Sequence, residues 1–378
     1  NSDNATYGGY NITLNGDIDL HGGRYSGRAS DGAALQWPTI TTYSGVLDGK
    51  LNSISNVSIN GTGTMGFVQN LTGGTIQNLT LASGTYKAGY NVTKVIGVFA
   101  GKATNATLRQ CLNYIPTEFA RNADTSYTGG IVGQANNTLV TNCANFAHMG
   151  NTNTYSIPMY GGGIVGKAEN GCTISNCYNA GDMNILNVGM TGAIVSPRDL
   201  SATVSNCWYD TQTSGKIRGT AVAGVTGVTT AQMKTWGMAY QLSGAPDLRA
   251  NPGTVWRTAA SASENGGYPV FGMLAAGNWQ EVGQTARYYF DGGDAFETPD
   301  GRIVAKPAGD GSAAKPYQIE APEQLAWLAA KVNTDAADRA QSATLLGDMN
   351  LTGKAYGGTA ATPVSYTHLR AHETRSNL

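Results

Sequence analysis

The sequence is poor in charge, proline and histidine. Among its 378 residues, 13% are Asp, Glu, Lys or Arg, 12 are proline and four are histidine. Soluble domains usually hold about 25% charged residues, and disordered chains combine high charge with low hydrophobicity. The low charge therefore argues against disorder. A formal net charge of −1 without a basic patch gives no support for a nucleic-acid partner.

Further absences narrow the function. No apolar run approaches the ~20 residues needed to cross a bilayer, so the sequence predicts no membrane span. His372-Glu373 does not complete a His-Glu-x-x-His metalloprotease motif, because Ser376 stands where the second histidine belongs. We therefore expect no catalytic residue, metal or cofactor here. The chain opens at Asn1 in mid-pattern, and we expect the natural N-terminus to lie upstream.

Glycine and β-branched residues are abundant instead. The chain has 51 glycines, and 41% of its residues are hydrophobic, with Val, Ile and Thr plentiful. Glycine suits tight turns, and β-branched residues favour strands. The composition thus predicts many short strands joined by tight turns.

One pattern recurs along the first half of the chain. In its clearest copy, residues 163–166 (Gly-Ile-Val-Gly) lead to residues 174–177 (Ile-Ser-Asn-Cys). The starting glycines follow one another at nearly even steps, at Gly66, Gly97, Gly130, Gly163 and Gly192. A period of about 30 residues is typical of solenoid repeats.

Each copy is interpreted as two short strands separated by a turn, and no copy can bury its apolar side alone. Stacking the copies about 4.8 Å apart pairs their backbones and gives one continuous core. The sequence therefore predicts an all-β fold: a β-solenoid, like a parallel β-helix, with coils of about 30 residues, then a short helix-containing cap segment and the start of a second module. The stretches Asn145–Tyr160 and Asn179–Gly189 are expected to be loops leaving one side of the stack.

Residues that recur in each copy form the predicted structural ladder. It contains corner glycines, inward-facing isoleucines and the cysteines that close each copy, namely Gly130, Ile131, Gly133, Gly163, Ile164, Gly166, Cys111, Cys143, Cys177 and Cys207. For the cysteines, buried thiols are favoured over disulfides and over a metal site, because no Cys-x-x-Cys spacing is present. Cys172 is off this register and is placed in a turn.

Carboxylates decide whether a β-helix can cut polysaccharides, since that chemistry needs a cluster of them. Glu169 and Asp199 occupy nearly the same place after their coil glycines, so they are candidate neighbours on adjacent coils. Solvated turn residues remain the favoured interpretation of both.

The ordered repeats resemble a known family. Residues 162–166 (Gly-Gly-Ile-Val-Gly), followed by residues 174–179 (Ile-Ser-Asn-Cys-Tyr-Asn), are similar to the GLUG repeat of bacterial surface proteins. That repeat also occurs in the non-catalytic part of some IgA-cleaving metalloproteases. The resemblance implies a β-solenoid exposed on a bacterial envelope, with no catalytic residues to carry over.

The resemblance covers residues 10–275, and a second module follows it. Residues 345–351 (Leu-Leu-Gly-Asp-Met-Asn-Leu) repeat the signature of residues 16–20 (Gly-Asp-Ile-Asp-Leu), which predicts tandem modules. The predicted divisions are a solenoid at 1–228, its cap segment at 229–285, a linker at 286–308 and a truncated second module at 309–364. Residues 365–378 resemble a translated sequencing-adapter scar and are left out of the fold prediction.

These features favour a structural or adhesive function. We expect a monomeric chain of tandem modules, extracellular on the bacterial surface or secreted, that is a stalk or binds host protein or glycan through its loops. The alternative is a polysaccharide-acting β-helix enzyme, or the accessory region of a surface protease whose catalytic domain lies elsewhere. Fold alone does not separate these functions.

Overall fold

The computed structural model describes residues 8–20, 37, 39–88, 95–119, 126–151, 159–184, 190–215, 221–244, 255–259, 261–272, 278–282, 286–290, 295–297, 303–305, 307–320, 324–325, 327–329, 332, 340–350, 358–359, 362–363 and 368–369. The chain divides into two compact units, residues 1–230 and 231–378. The predicted boundaries of the cap segment, linker and second module remain predictions. The predicted scar lies outside the described residues except for 368–369.

The first unit is a stack of parallel coils. It opens with β1 (Ile12–Thr13) and β2 (Ile18–Asp19). The next coil holds β3 (Ile40–Tyr43), β4 (Val46–Asp48), β5 (Ser53–Ser55), β6 (Val57–Gly61) and β7 (Thr64–Met65). The coil after it holds β8 (Val68–Thr72), β9 (Thr75–Leu81), β10 (Gly84–Ala88) and β11 (Val95–Gly97).

Later coils keep this plan. One holds β12 (Ala100–Thr104), β13 (Thr107–Asn113), β14 (Thr117–Phe119) and β15 (Ser126–Gly129). The next holds β16 (Val132–Asn136), β17 (Leu139–Thr141), β18 (Ala144–Asn145), β19 (Met149–Asn151) and β20 (Met159–Gly162). The last coils hold β21 (Val165–Glu169), β22 (Cys172–Ser175), β23 (Tyr178–Asn179), β24 (Met183–Asn184), β25 (Thr191–Gly192), β26 (Ala202–Ser205), β27 (Cys207–Asp210) and β28 (Val225–Val228).

Equivalent strands of successive coils pair in parallel and form four faces. Face 1 is the five-stranded sheet β3-β8-β12-β16-β21, and face 2 is a 13-stranded sheet that begins at β1 and ends at β28. Face 3 is β6-β10-β14-β19-β24, and face 4 is β7-β11-β15-β20-β25. Within one coil the chain visits faces 1, 2, 3 and 4 in that order.

The core is a column of apolar side chains enclosed by the faces. On face 1, register partners in four successive coils are all fully buried, namely Val68, Ala100, Val132 and Val165. Side chains of a strand alternate between its two sides, so the apolar ones point inward and the polar ones reach solvent. The predicted all-β solenoid is therefore confirmed.

Left-handed residues bend the chain between strands. The residue before each ladder cysteine has a positive φ, near 50°, at Gln110, Asn142, Asn176 and Asn206. Asparagine tolerates this conformation better than other residues that carry a Cβ. This explains why Asn precedes Cys in the repeat, which the sequence pattern alone does not reveal.

The coils differ from the predicted strand–turn–strand unit in one respect. Each full coil has strands on four faces, because faces 3 and 4 add short strands between the cysteine that closes one copy and the glycine that opens the next. The stretch Asn145–Tyr160, predicted to be a loop, begins at the end of β18, contains β19 and ends within β20. The loop prediction was wrong for residues 149–151, where the buried Met149 anchors a short strand, and for residues 159–160, whereas residues 152–158 lie outside the described residues.

Two short helices follow the solenoid in the chain, α1 (Thr230–Met233) and α2 (Trp236–Leu242). Thr235 caps α2, since its side chain accepts a hydrogen bond from the Met238 backbone N–H at 3.1 Å. Beyond them lie β29 (Trp256–Arg257), a 3₁₀ turn (Asn265–Gly267) and β30 (Val270–Phe271), with β29 and β30 antiparallel. No helix in the described part of the chain is long and apolar enough to cross a bilayer.

The remaining strands of the second unit pair two by two. They are β31 (Asn278–Val282), β32 (Ala286–Phe290), β33 (Ala295–Glu297), β34 (Ile303–Ala305), β35 (Tyr317–Ile319), β36 (Ala343–Leu345), β37 (Met349–Asn350), β38 (Gly358–Thr359), β39 (Thr362–Pro363) and β40 (His368–Leu369). The pair of β35 with β36 is parallel, like the pairs of the solenoid. The other pairs are antiparallel.

Candidate functional site

The four ladder cysteines lie one above another in successive coils, at the bend in face 2. Each is at most 1% exposed. The single proton of each thiol has two backbone carbonyl acceptors within reach: one in the preceding coil, for example Leu108 at 3.8 Å from Cys143, and one two residues before it in its own coil. The same pattern holds at Cys111, Cys177 and Cys207. Their sulfurs therefore form a continuous internal column, here called the cysteine ladder.

These thiols are placed for packing. Burial raises the pKa of Cys143 and Cys177 well above the ordinary value, and a hydrogen bond to Cys177 together with burial does the same for Cys207. A thiol that stays protonated is a poor nucleophile and a poor metal ligand. All five cysteines are free. Among the described residues, no group of three His, Cys, Asp or Glu side chains could hold a metal ion.

Cys172 requires a correction. It begins β22, fully buried, and does not lie in a turn. Its thiol donates to the Glu169 carbonyl at 3.0 Å and accepts from the Thr138 backbone N–H at 3.4 Å. The turn prediction failed because face 2 begins well before the ladder cysteine in each coil, so a residue ahead of that cysteine can already lie in a strand.

The corner glycines and isoleucines hold two sides of the coil close together. Ile131 and Ile164 are fully buried. A Cβ on Gly130 or Gly163 would overlap a carbonyl oxygen of the next coil and crowd the side chain of a buried asparagine, Asn145 or Asn179. A Cβ on Gly133 or Gly166 would likewise collide with backbone atoms of a neighbouring coil. Only glycine fits at these four positions without a shift of the backbone.

A second buried ladder escaped the sequence analysis. Asn113 donates to the Asn145 side-chain oxygen at 2.8 Å, and Asn145 donates to that of Asn179 at 2.8 Å. In all three asparagines, the side-chain oxygen also accepts a hydrogen bond from the backbone N–H two residues later. All three amides are fully buried. The signal in the sequence is the recurring Cys-x-Asn, and the column is here called the asparagine ladder.

On the outside, a groove of about 340 Å³ crosses three coils where face 1 turns into face 2. The turns after β12, β16 and β21 supply its rim, and the strands that follow supply its floor. The lining residues are Asn105, Ala106, Thr107, Asn137, Thr138, Leu139, Gly171 and Thr173. Thr107, Leu139 and Thr173 are register partners, so the same position of each coil supplies the floor.

The amides at the rim are held in order by the backbone. Asn105 and Asn137 have positive φ values of 51° and 45°, and Asn137 donates to the Asn105 side-chain oxygen at 2.7 Å. Both residues are exposed. The groove offers amides, hydroxyls and one exposed leucine, and no charged side chain lines it. That chemistry suits an uncharged, hydroxyl-rich ligand better than an ionic one.

Residues of faces 4 and 1, together with two that follow in the chain, form a charged cluster, here called the tyrosine–lysine patch: Tyr127, Tyr160, Lys167, Glu169, Arg198 and Asp199. The Tyr127 and Tyr160 rings are 5.1 Å apart, and the Lys167 ammonium lies 5.3 and 5.5 Å from their centroids. Lys167 pairs with Glu169 at 2.5 Å, and the Tyr160 hydroxyl donates to Asp199 at 2.6 Å. Arg198 in turn lies 3.8 Å from Asp199. Every charge in the patch thus has a partner within it.

The two candidate carboxylates do approach one another, yet they are engaged elsewhere. Burial raises the pKa of Glu169, but hydrogen bonds from Lys167 and Gln134 outweigh it, and the net pKa is lowered. The Asp199 charge adds only a smaller opposing effect. A carboxyl with a lowered pKa is a poor general acid at neutral pH. The patch is therefore better suited to tying coils together than to proton transfer.

Comparison with known proteins supports the repeat assignment. The sequence profile of the GLUG motif matches residues 158–185. That span holds Cys177 of the cysteine ladder, and it also holds Gly163 and Asn179, which pack against one another. The resemblance to the GLUG repeat is confirmed for this copy: the chain carries a GLUG motif within a parallel β-solenoid.

Other comparisons add little. A search of curated proteins gives no match. Among solved structures, a "putative immunoglobulin A1 protease" from Bacteroides ovatus is similar at 15% identity and a TM-score of 0.38, over 69% of this chain and 85% of that chain. A similarity this low carries no conclusion about the activity of this chain.

Proposed function

We propose that this chain is a non-catalytic binding module of an extracellular bacterial protein, and that it binds a neutral glycan in the groove between faces 1 and 2. The observation that carries the proposal is the chemistry of the groove: exposed amides from two coils and half-buried threonine hydroxyls beside them, without a charged side chain. A polysaccharide presents hydroxyl groups at regular steps. Because the floor residues occupy the same position in successive coils, they can contact such a chain at regular steps.

The other surfaces support this choice of site. The charges of the tyrosine–lysine patch neutralise one another, and the cysteine ladder is buried. The hydrogen bond between the two side chains orders Asn105 and Asn137 before a ligand arrives, which lowers the entropic cost of binding. A surface or secreted location fits a GLUG-containing solenoid. The sequence pattern favours binding through the loops, whereas the groove lies at a corner of the coils.

The test is a glycan-array screen of the full chain, followed by calorimetry with the best neutral oligosaccharide. Asn137→Gly removes the amide but keeps a residue that accepts positive φ. We expect this variant to bind about tenfold more weakly, the effect of about one lost hydrogen bond in a desolvated site.

Asn176→Gly is the matched control. Asn176 also has a positive φ and also shares a side-chain hydrogen bond with the equivalent asparagine of a neighbouring coil, since it accepts from Asn206, but it lies outside the groove. Its affinity should stay within about twofold of the wild type, well under the tenfold effect of a lost hydrogen bond. Equal losses in both variants, or no neutral glycan retained on the array, would refute the proposal. Release of shortened oligosaccharides would favour the enzyme alternative.

A further inference from the structure

A segment near the start of the chain recurs near its end. Residues 11–20 (Asn-Ile-Thr-Leu-Asn-Gly-Asp-Ile-Asp-Leu) and residues 342–351 (Ser-Ala-Thr-Leu-Leu-Gly-Asp-Met-Asn-Leu) align without a gap and are identical at five of ten positions. The structure keeps this alignment. Strand β36 is equivalent to residues 12–14, which contain β1, and strand β37 is equivalent to β2.

The two equivalent strands have different neighbours. In the first unit, β1 is the terminal strand of the face 2 sheet and pairs in parallel with β4, which comes later in the chain. In the second unit, β36 pairs in parallel with β35, which comes earlier in the chain. Thus β35 occupies the place of a preceding coil, and among the described strands β1 has no such neighbour.

Hydrogen bonds show that these neighbours use opposite edges of the same strand. In the first unit, the Leu14 backbone N–H donates to the Asp48 carbonyl at 2.9 Å, so it points toward β4. In the second unit, the Ser342 carbonyl accepts from Tyr317 and the Leu346 N–H donates to Ile319, both toward β35. Their equivalents are Asn11 and Asn15. Backbone groups of residues an odd number apart face opposite edges, so Asn11 and Asn15 face away from β4.

The outer edge of β1 has the character of a pairing site. Apolar side chains in and just before β1 are exposed, with Ile12 40% and Tyr10 58% exposed. On β35, Tyr317 and Ile319 are 3% and 0% exposed, and the Tyr317 ring packs edge-on against Trp327 at 5.1 Å. A segment of this kind brings both a strand and its own apolar cover.

We propose that the outer edge of β1 binds a parallel strand of the type formed by residues 317–319, supplied by the segment that precedes a module in this protein, with residues 309–330 as its example. The added strand pairs with Asn11, Thr13 and Asn15 and extends face 2 by one coil. Tandem modules are then joined by β-strand addition, and the segment before each module completes its first sheet.

The test mixes the full chain with a fluorescently labelled peptide of residues 309–330 and measures binding by the fluorescence anisotropy of the peptide. We expect saturable binding to the wild-type chain. Thr13→Pro removes an N–H on the outer edge and obstructs an incoming strand, while the bonds to β4 stay, because proline is tolerated on a free edge. It should weaken binding at least about tenfold. Thr13→Val, which keeps the N–H, should bind as the wild type does.

Thr344→Pro distinguishes the two possible partners of the peptide. It blocks the equivalent position in β36 and should leave peptide binding unchanged. A loss with Thr344→Pro but not with Thr13→Pro would show exchange into the second module and overturn the proposal. So would the absence of saturable binding to wild-type chain. Thermal melting curves of each variant, recorded by circular dichroism, check that the solenoid is folded under the conditions of the binding assay.

Discussion

The cysteine ladder and the asparagine ladder lie two residues apart in the three coils that hold both, yet they impose different demands on their neighbours. A thiol fills space and gives a weak hydrogen bond, so an apolar residue can replace it. In the coil before that of Cys111, the register partner of this cysteine is indeed a leucine, the fully buried Leu79. The Asn145 amide instead bonds to the coils on both sides and to its own backbone.

The difference teaches how a repetitive stack can hold one register. Apolar rungs tolerate a shift in register between neighbouring coils, since one buried apolar side chain packs much like the next. An amide ladder does not, because every shifted amide would leave buried donors and acceptors without partners. The ladder ends where the next rung is Leu81, the register partner of Asn113. We infer that the asparagines specify how the coils align and that the cysteines mainly fill the core.

The largest effect is expected from Asn145→Leu. The side chains have similar volumes, but the substitution removes an acceptor from Asn113 and a donor from Asn179, both fully buried. We expect a loss of about 4 kcal/mol in the free energy of unfolding, measured by urea denaturation. A loss below about 1 kcal/mol would mean that water replaces the amide and that the ladder does not set the register.

A smaller effect is expected from Cys143→Ala, which lies two residues away and serves as the control. It removes one sulfur from a packed column and leaves no strong polar group unpaired. The expected loss is about 1 kcal/mol, from lost burial and a small cavity, by the same urea titration. A loss equal to that of Asn145→Leu would erase the distinction between the ladders.

The smallest effect concerns polar contacts between coils at the surface. Hydrogen bonds lower the pKa of Glu169 below its usual 4.5, so the folded state binds fewer protons than the unfolded state there. This stability is present above the unfolded pKa and is lost as pH falls through the folded pKa. Acidification from pH 7 to about pH 3 should therefore lower the free energy of unfolding of Glu169→Gln by about 0.5 kcal/mol less than that of the wild type.

The check is chemical denaturation at both pH values. Lys167→Gln removes the partner of Glu169. It should therefore also reduce the loss of unfolding free energy between pH 7 and about pH 3. A Glu169→Gln variant with the full wild-type loss would show that the tyrosine–lysine patch adds nothing to the contact between coils. The surface bond would then differ even more from the buried amide ladder.

The sequence determined the stack itself. A nearly even glycine spacing, with inward Ile and Val and a recurring Cys, was enough to predict coils, because such a unit buries its apolar side only against a copy of itself. The recurrence of the Gly-Asp signature of the first module near the end of the chain likewise came from the sequence. The asparagine ladder was present as Cys-x-Asn, but an Asn in a polar sequence gives no sign of being buried.

Only the tertiary structure decided which sides of a coil meet. Gly163 and Asn179 are well separated along the chain, and their contact depends on the path through the face that lies between them. The groove likewise exists because three turns of different coils align, and Cys172 is buried because face 2 begins before the ladder cysteine. Spacing along a chain fixes which residues repeat, whereas distance across a coil depends on where each corner bends.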